Sequence, residues 1–304
     1  CSTLWNSFFT MCQLLGMNGN TPTDITFSFS GFSQRAGVTD EHTDGWGIAF
    51  FEGMPATVEK EAQQTQEQAQ AEPAPVADKG LRLFIDHHAA SRSPVAELVR
   101  RYPIKSRNIV AHIRKATQGR VALQNCHPFV RELWGHYWVF AHNGNLENYQ
   151  PRLHSHFQPV GDTDSERAFC WLMQELSKAH ATLPSVAELN RTLEELLPQI
   201  AKHGTFNMLL SNGMGLWAHA STHLHYLVRQ HPFSTAALSD EDVEVDFSTL
   251  TQAHDRVAVI ATQPLTRNEQ WTAIASGTLM AFVDGQPVYQ SEPTGKDAAK
   301  QIMP

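Results

Sequence analysis

The stretch Met11-Cys12-Gln13-Leu14-Leu15-Gly16 can be read in two ways. A cysteine directly after a methionine becomes the first residue of the polypeptide if translation starts there and the methionine is trimmed. One residue then carries a thiol with a reference pKa of about 8.5 and an α-amine at about 7.7–8.0. Both groups titrate near working pH, and the amine can take the thiol's proton, as N-terminal nucleophiles require. The alternative is a buried cysteine on a first strand, packed as a small apolar group. These six residues leave both open.

Composition narrows the classes. The chain has 304 residues, 41% of them hydrophobic, enough for one large domain or two small ones. A net charge of -8 without a basic block speaks against nucleic acid as a partner. No apolar run approaches the roughly 18–20 residues of a membrane span. The cysteines Cys1, Cys12, Cys126 and Cys170 include no CxxC pair and do not form a disulfide framework, so a reducing, cytoplasmic setting is expected. Sixteen histidines make metal worth testing position by position.

Outward from Cys12, residues 1–11 fit no signal peptide and are expected to be a removed leader or an extension. The run Asn18-Gly19-Asn20-Thr21-Pro22 reads as a loop between apolar segments at 12–16 and 25–29, and 30–35 as a short helix or turn. Residues 53–80, rich in Gln, Ala, Glu and Pro, read as a solvated, disordered insertion. Strands are expected at 81–86, 108–114 and 138–142, the last ending in an Asn143-Gly144 turn before a helical segment. Ser93 caps a helix with Pro94 at its first position. Thr163 and Glu166 form a capping box for a helix through Cys170, and 185–202 form a second, amphipathic helix. Strands return at 206–210, 215–219, 225–228, 257–261 and 279–283, and 291–304 read as a tail. Short connections among these late strands predict antiparallel pairing in an α+β layered domain. No GxGxxG or P-loop follows a strand, so a nucleotide cofactor is unsupported, and no other cofactor is expected.

In order, Cys12, Asp44-Gly45-Trp46-Gly47, Ala111-His112-Ile113-Arg114, Ala141-His142-Asn143-Gly144 and Thr163-Asp164-Ser165-Glu166 resemble the glutaminase domain of class II glutamine amidotransferases. NCHPFVRELWG, FNMLLS and ATQPLTRNEQW extend the likeness to the single-domain YafJ-type branch, over about residues 11–290. The resemblance implies an N-terminal nucleophile (Ntn) hydrolase fold, a four-layer αββα sandwich with two antiparallel sheets. It implies Cys12 as nucleophile with its α-amine as base, and Asn143 and Gly144 as the oxyanion hole. Arg114 would grip the substrate α-carboxylate and Asp164 the α-ammonium, with Thr117, Gln118 and Gly119 in the loop after the arginine. Gln118 stands where many relatives have histidine.

Three readings follow from the resemblance. One is a glutaminase that delivers ammonia to a separate synthase subunit. Another is a free-standing hydrolase of γ-glutamyl amides or peptides. The third is a binding protein whose Cys12 stays masked. No metal site is expected: His87-His88, His154/His156 and His223/His225 lack carboxylate or cysteine partners at suitable spacing. Cys126 and His127, as neighbours on a strand, would point to opposite faces rather than pair. Cys170 reads as core.

Overall fold

A computed structural model describes residues 12–40, 42–52, 80–116, 118–154 and 156–294. The leader at 1–11, nearly all of the insertion at 53–80 and the tail beyond residue 294 lie outside the described residues. Gly80 already opens a strand.

One sheet has seven strands in the order β13-β9-β12-β1-β4-β2-β3. These are β1 (Gln13–Asp24), β2 (Trp46–Glu52), β3 (Gly80–Asp86), β4 (Lys105–Ile113), β9 (His225–Gln230), β12 (Arg256–Ala261) and β13 (Thr272–Ala273). The second sheet has six, β15-β14-β8-β7-β6-β5. They span β5 (Phe129–Leu133), β6 (His136–Leu146), β7 (Gly204–Ser211), β8 (Leu216–Ala220), β14 (Thr278–Val283) and β15 (Gln286–Gln290). Every pairing in both sheets is antiparallel. A small ribbon of β10 (Thr235–Ala237) and β11 (Glu244–Asp246) stands apart.

Strand alternation builds the layers. Along β1, Leu15 and Met17 face α1 (Thr26–Gln34) and α2 (Pro94–Arg101), packing with Phe29, Phe32, Ala96 and Val99. Leu14 points the other way, into a core between the sheets with Val110, Val139, Ala141, Leu209 and Leu216. The far side of the six-stranded sheet packs Phe140, Phe206 and Trp217 against α3 (Asp164–Ala179) and α4 (Val186–Ala201). Three cores thus separate four layers, helix–sheet–sheet–helix. Leu14 and Leu15 are both fully buried, each worth about 1.5–3 kcal/mol relative to exposure. Gly16 marks a close approach of the sheets: a Cβ there would lie 2.9 Å from a Leu216 methyl. Among the described residues no helix is long and apolar enough to cross a membrane.

Several expectations need correction. Asn18–Pro22 is no loop between elements, because β1 continues to Asp24 with its register shifted between Asn18 and Thr23. Polar side chains hold the irregular stretch: Asn18 donates to Asn108 at 2.8 Å and Asn20 to His254 O at 2.7 Å. Residues 26–34 are wholly helical. Asn143-Gly144 is not a turn, since β6 runs through it to Leu146, paired with β7. The expected helix after it is absent, and 147–154 are irregular. Thr163 caps α3 by accepting the Glu166 N–H at 3.2 Å, but the box is not reciprocal. The Glu166 carboxylate instead accepts the Val160 and Gly161 N–H groups and pairs with Arg131 at 2.6 Å. The fold also reaches past 290: Ser291 N–H donates to Leu279 O at 2.9 Å.

Candidate active site

Cys12 immediately precedes β1, the middle strand of the seven-stranded sheet. Its half-buried thiol lies against the chain leaving β4. Sγ accepts the Lys115 N–H and donates to Lys115 O, both at 3.1 Å. Burial pushes the thiol pKa up to about 11; the Lys115 hydrogen bond and the Arg114 charge pull the other way, and Asp44 adds to the rise. At neutral pH such a thiol is overwhelmingly protonated. A nucleophile here needs a base.

Arg114 follows β4, 3% exposed, with its backbone tied to the turn before β2: its N–H donates to Gly45 O at 2.8 Å. The turn is held in return by Asp44, whose carboxylate accepts the Ala116 N–H at 2.8 Å. The Arg114 guanidinium donates to the carbonyls of Gln118, Gly119 and Arg120 at 2.9, 3.2 and 3.0 Å. Among the described residues no carboxylate pairs with this buried cation, and it takes the nearest carbonyl acceptors. The Gln118 amide reaches on to Asn145 Oδ1 at 2.5 Å and Leu146 O at 3.2 Å. Leu146 N–H donates to Asp164 Oδ2 at 2.7 Å, and Asp164 is 5% exposed at the start of α3. Arg114, Gln118 and Asp164 therefore belong to one hydrogen-bonded chain. Thr117 lies outside the described residues.

Asn143 and Gly144 sit on β6, in the sheet facing β1. A Cβ at Gly144 would fall 1.8 Å from Thr205 O, so glycine alone fits. The Asn143 side chain is 1% exposed, with Nδ2 3.3 Å from Thr262 Oγ1. Thr262 Oγ1 also accepts the Leu14 N–H at 2.9 Å, which joins Asn143 to the strand that carries Cys12.

The remaining candidates separate from this cluster or change character. His87 and His88 do have a carboxylate partner, contrary to expectation: Asp86 Oδ1 lies 2.8 Å from His88 Nδ1 and 3.7 Å from His87 Nδ1. The three ligand atoms lie within 4.8 Å of one another, a half-exposed group that could hold a metal ion. His154 and His156 line a dent with Phe157 and Lys178. His225 bonds Thr262 O at 3.0 Å, while His223 is exposed. Cys126 contacts the carbonyls of Asp86 and Ala122 at 3.4 and 3.6 Å, and His127 turns instead to His112, Nδ1 to Nε2 at 3.1 Å. Burial lowers both histidines well below the usual range. Cys170 is fully buried in α3.

Asp44, Asn145 and Thr262 complete the cluster and carried no assigned role in the sequence. Asp44 and Thr262 lie in stretches that carry the resemblance and Asn145 directly follows one, but only tertiary contacts show what each one touches.

The chain is similar to known proteins of one family. The family described as "Glutamine amidotransferases class-II" matches residues 11–303. The Escherichia coli protein described as "Putative glutamine amidotransferase YafJ" is 47% identical over 91% of this chain and 100% of its own length. A protein of the same general description from Haemophilus influenzae is 48% identical over 95% of this chain and 90% of its own. The crystal structure of a "predicted glutamine amidotransferase" from Pseudomonas aeruginosa superposes with a TM-score of 0.68 at 38% identity, covering 91% of this chain and all of that one. The glutamine phosphoribosylpyrophosphate amidotransferase of Bacillus subtilis matches at 12% identity and a TM-score of 0.51, over 92% of this chain and 49% of that one, a likeness of fold alone. The architecture is the Ntn-hydrolase sandwich.

Proposed function

The chain belongs to the class II glutamine amidotransferases, and from that premise we propose that it hydrolyses the γ-amide of glutamine through a thioester on Cys12. The observation that carries the reading is the Cys12 thiol, set just before β1 against Lys115 and held protonated by burial. An α-amine on the same residue, with a pKa of about 7.7–8.0, supplies the missing base. Released by cleavage before Cys12, it takes the thiol proton while sulfur attacks the amide carbon.

The tetrahedral oxyanion is stabilised by the Asn143 side-chain N–H and the Gly144 backbone N–H. Collapse breaks the C–N bond, and the ammonium form of the amine returns its proton to the leaving nitrogen, giving ammonia. Water, deprotonated by the same amine, attacks the thioester; glutamate leaves and the thiol is restored. Arg114 binds the α-carboxylate by exchanging loop carbonyls for an anion, which a planar fork holds more strongly. Asp164 pairs with the α-ammonium. Gln118 links the two ends of this clamp through Leu146.

The ammonia goes to a separate acceptor subunit in the first reading, and to solvent if γ-glutamyl amides or peptides are the physiological substrates. The free thiols Cys12, Cys126 and Cys170 suit a reducing, cytoplasmic setting. The test compares glutaminase turnover of protein beginning at Cys12 with protein retaining residues 1–11. Turnover only in the first is expected. Equal turnover in both removes the amine as base.

A further inference from the structure

Thr262 follows β12 and locks onto β1 through two bonds: its N–H donates to Leu14 O at 3.1 Å and its hydroxyl oxygen accepts the Leu14 N–H at 2.9 Å. The same oxygen lies 3.3 Å from Asn143 Nδ2. With the amide set this way, Thr262 Oγ1 accepts from two N–H groups, and among the described residues no acceptor takes its own hydrogen. Asn143 Oδ1 is meanwhile buried without a partner. Both residues are buried, Asn143 at 1% and Thr262 at 5% exposure.

The two ends of an amide have nearly the same shape, and the surrounding hydrogen bonds decide between them. A half-turn of the Asn143 amide removes one defect and changes the other. Oδ1 then accepts the Thr262 O–H, while Thr262 still accepts the Leu14 N–H. The unpartnered atom becomes Nδ2, a buried donor with nothing to donate to. Such an atom is costly in a resting protein, and an arriving negative oxygen satisfies it.

We propose that Thr262 is a positioning residue for the oxyanion hole: its hydroxyl fixes the Asn143 amide with the N–H₂ free for the oxyanion. This rests on the Cys12–Asn143 reading above. It extends that reading to a residue on the far edge of the site and to a defined hydrogen-bond polarity. Because Thr262 also bonds Leu14 on both sides, it couples that polarity to the strand that places Cys12.

The test is steady-state glutaminase kinetics on Thr262→Val, Thr262→Ser, Asn143→Ala and the double variant Thr262→Val/Asn143→Ala. Valine keeps the shape and deletes the hydroxyl. Thr262→Val is expected to lower kcat by roughly 10- to 100-fold with KM within about twofold, below the roughly 100- to 1,000-fold for losing a donor outright. Thr262→Ser, which retains the hydroxyl, is expected to stay within about threefold of wild type. In the double variant the threonine change should add less than about threefold, because its target is already gone. Wild-type kcat in Thr262→Val beside a crippled Asn143→Ala overturns this proposal alone. Full multiplication of the two losses does the same. Wild-type kcat in Asn143→Ala overturns the oxyanion role itself. Should Thr262→Val not fold, Thr262→Ala with the same cycle and a thermal melt replaces it. A loss confined to melting temperature, with kcat intact, then counts against the proposal.

Discussion

Asp164→Asn isolates the charge of the substrate clamp from its architecture. Asp164 is 5% exposed, and its Oδ2 accepts the Leu146 N–H at 2.7 Å. Asparagine keeps an acceptor oxygen for that bond, so the loop after β6 should hold its place and stability should change by no more than about 1 kcal/mol. What disappears is the negative charge proposed to face a substrate α-ammonium. A hydrogen bond to a charged partner is worth about 1.5–3 kcal/mol, which converts to roughly 10- to 150-fold in kcat/KM. If the contact is equal in ground and transition states, the loss appears in KM; if it also aligns the amide over Cys12, kcat falls with it. The assay is steady-state ammonia release from glutamine and from 4-carbamoylbutanoate, the analogue lacking the α-amine. The analogue should be poor with wild type and no poorer with Asp164→Asn. Near-wild-type kcat/KM for glutamine, or an equal loss on both compounds, refutes a role in ammonium recognition.

The remaining predictions concern pH, packing and metal. His112, His127, His142 and His219 are all lowered by burial, so the unfolded chain takes up protons below about pH 6.5 before the folded one does. Stability is therefore full above that pH and falls as pH drops through it, by up to about 1.4 kcal/mol per unit for each histidine; a flat denaturation profile from pH 7 to 5 contradicts this. Gly144→Ala should abolish turnover and lower the melting temperature, because the new methyl meets Thr205 O at 1.8 Å; wild-type kinetics would show that β6 yields there. Glutamine turnover should survive a chelator, since Asp86, His87 and His88 lie outside the proposed reaction path; activity lost to chelation and restored by zinc would put that group into the mechanism.

Much of the fold was legible because periodicity reports burial directly. The face of α4 was readable from Leu189, Leu193, Leu197 and Ile200, all of them buried. The apolar late strands fell where expected because each fills one of the sheet cores. Asn143-Gly144 misled because local turn chemistry and strand pairing compete, and pairing with Asn207 and Phe206 on β7 won. The Asn18–Pro22 stretch misled for a similar reason: its residues are turn formers, but distant partners at Asn108 and His254 hold them in the strand. At the site, Cys12, Arg114, Gln118 and Asp164 were nameable from motifs. Their connections were not, since the bonds join residues 4 to 103 positions apart. The role of Thr262 was hidden for the same reason, since it meets Leu14 across 248 positions of chain. Asp86 escaped as a partner for His88 because the bond depends on how the chain bends after β3.

The most direct test of the central claim is reaction with the electrophilic glutamine analogue 6-diazo-5-oxonorleucine, followed by peptide mass spectrometry. On protein beginning at Cys12, one adduct should form, on Cys12, with Cys126 and Cys170 unmodified and loss of turnover tracking its appearance. Modification of Cys126 or Cys170 with Cys12 intact, or full labelling of Cys12 with turnover undiminished, contradicts Cys12 as the nucleophile.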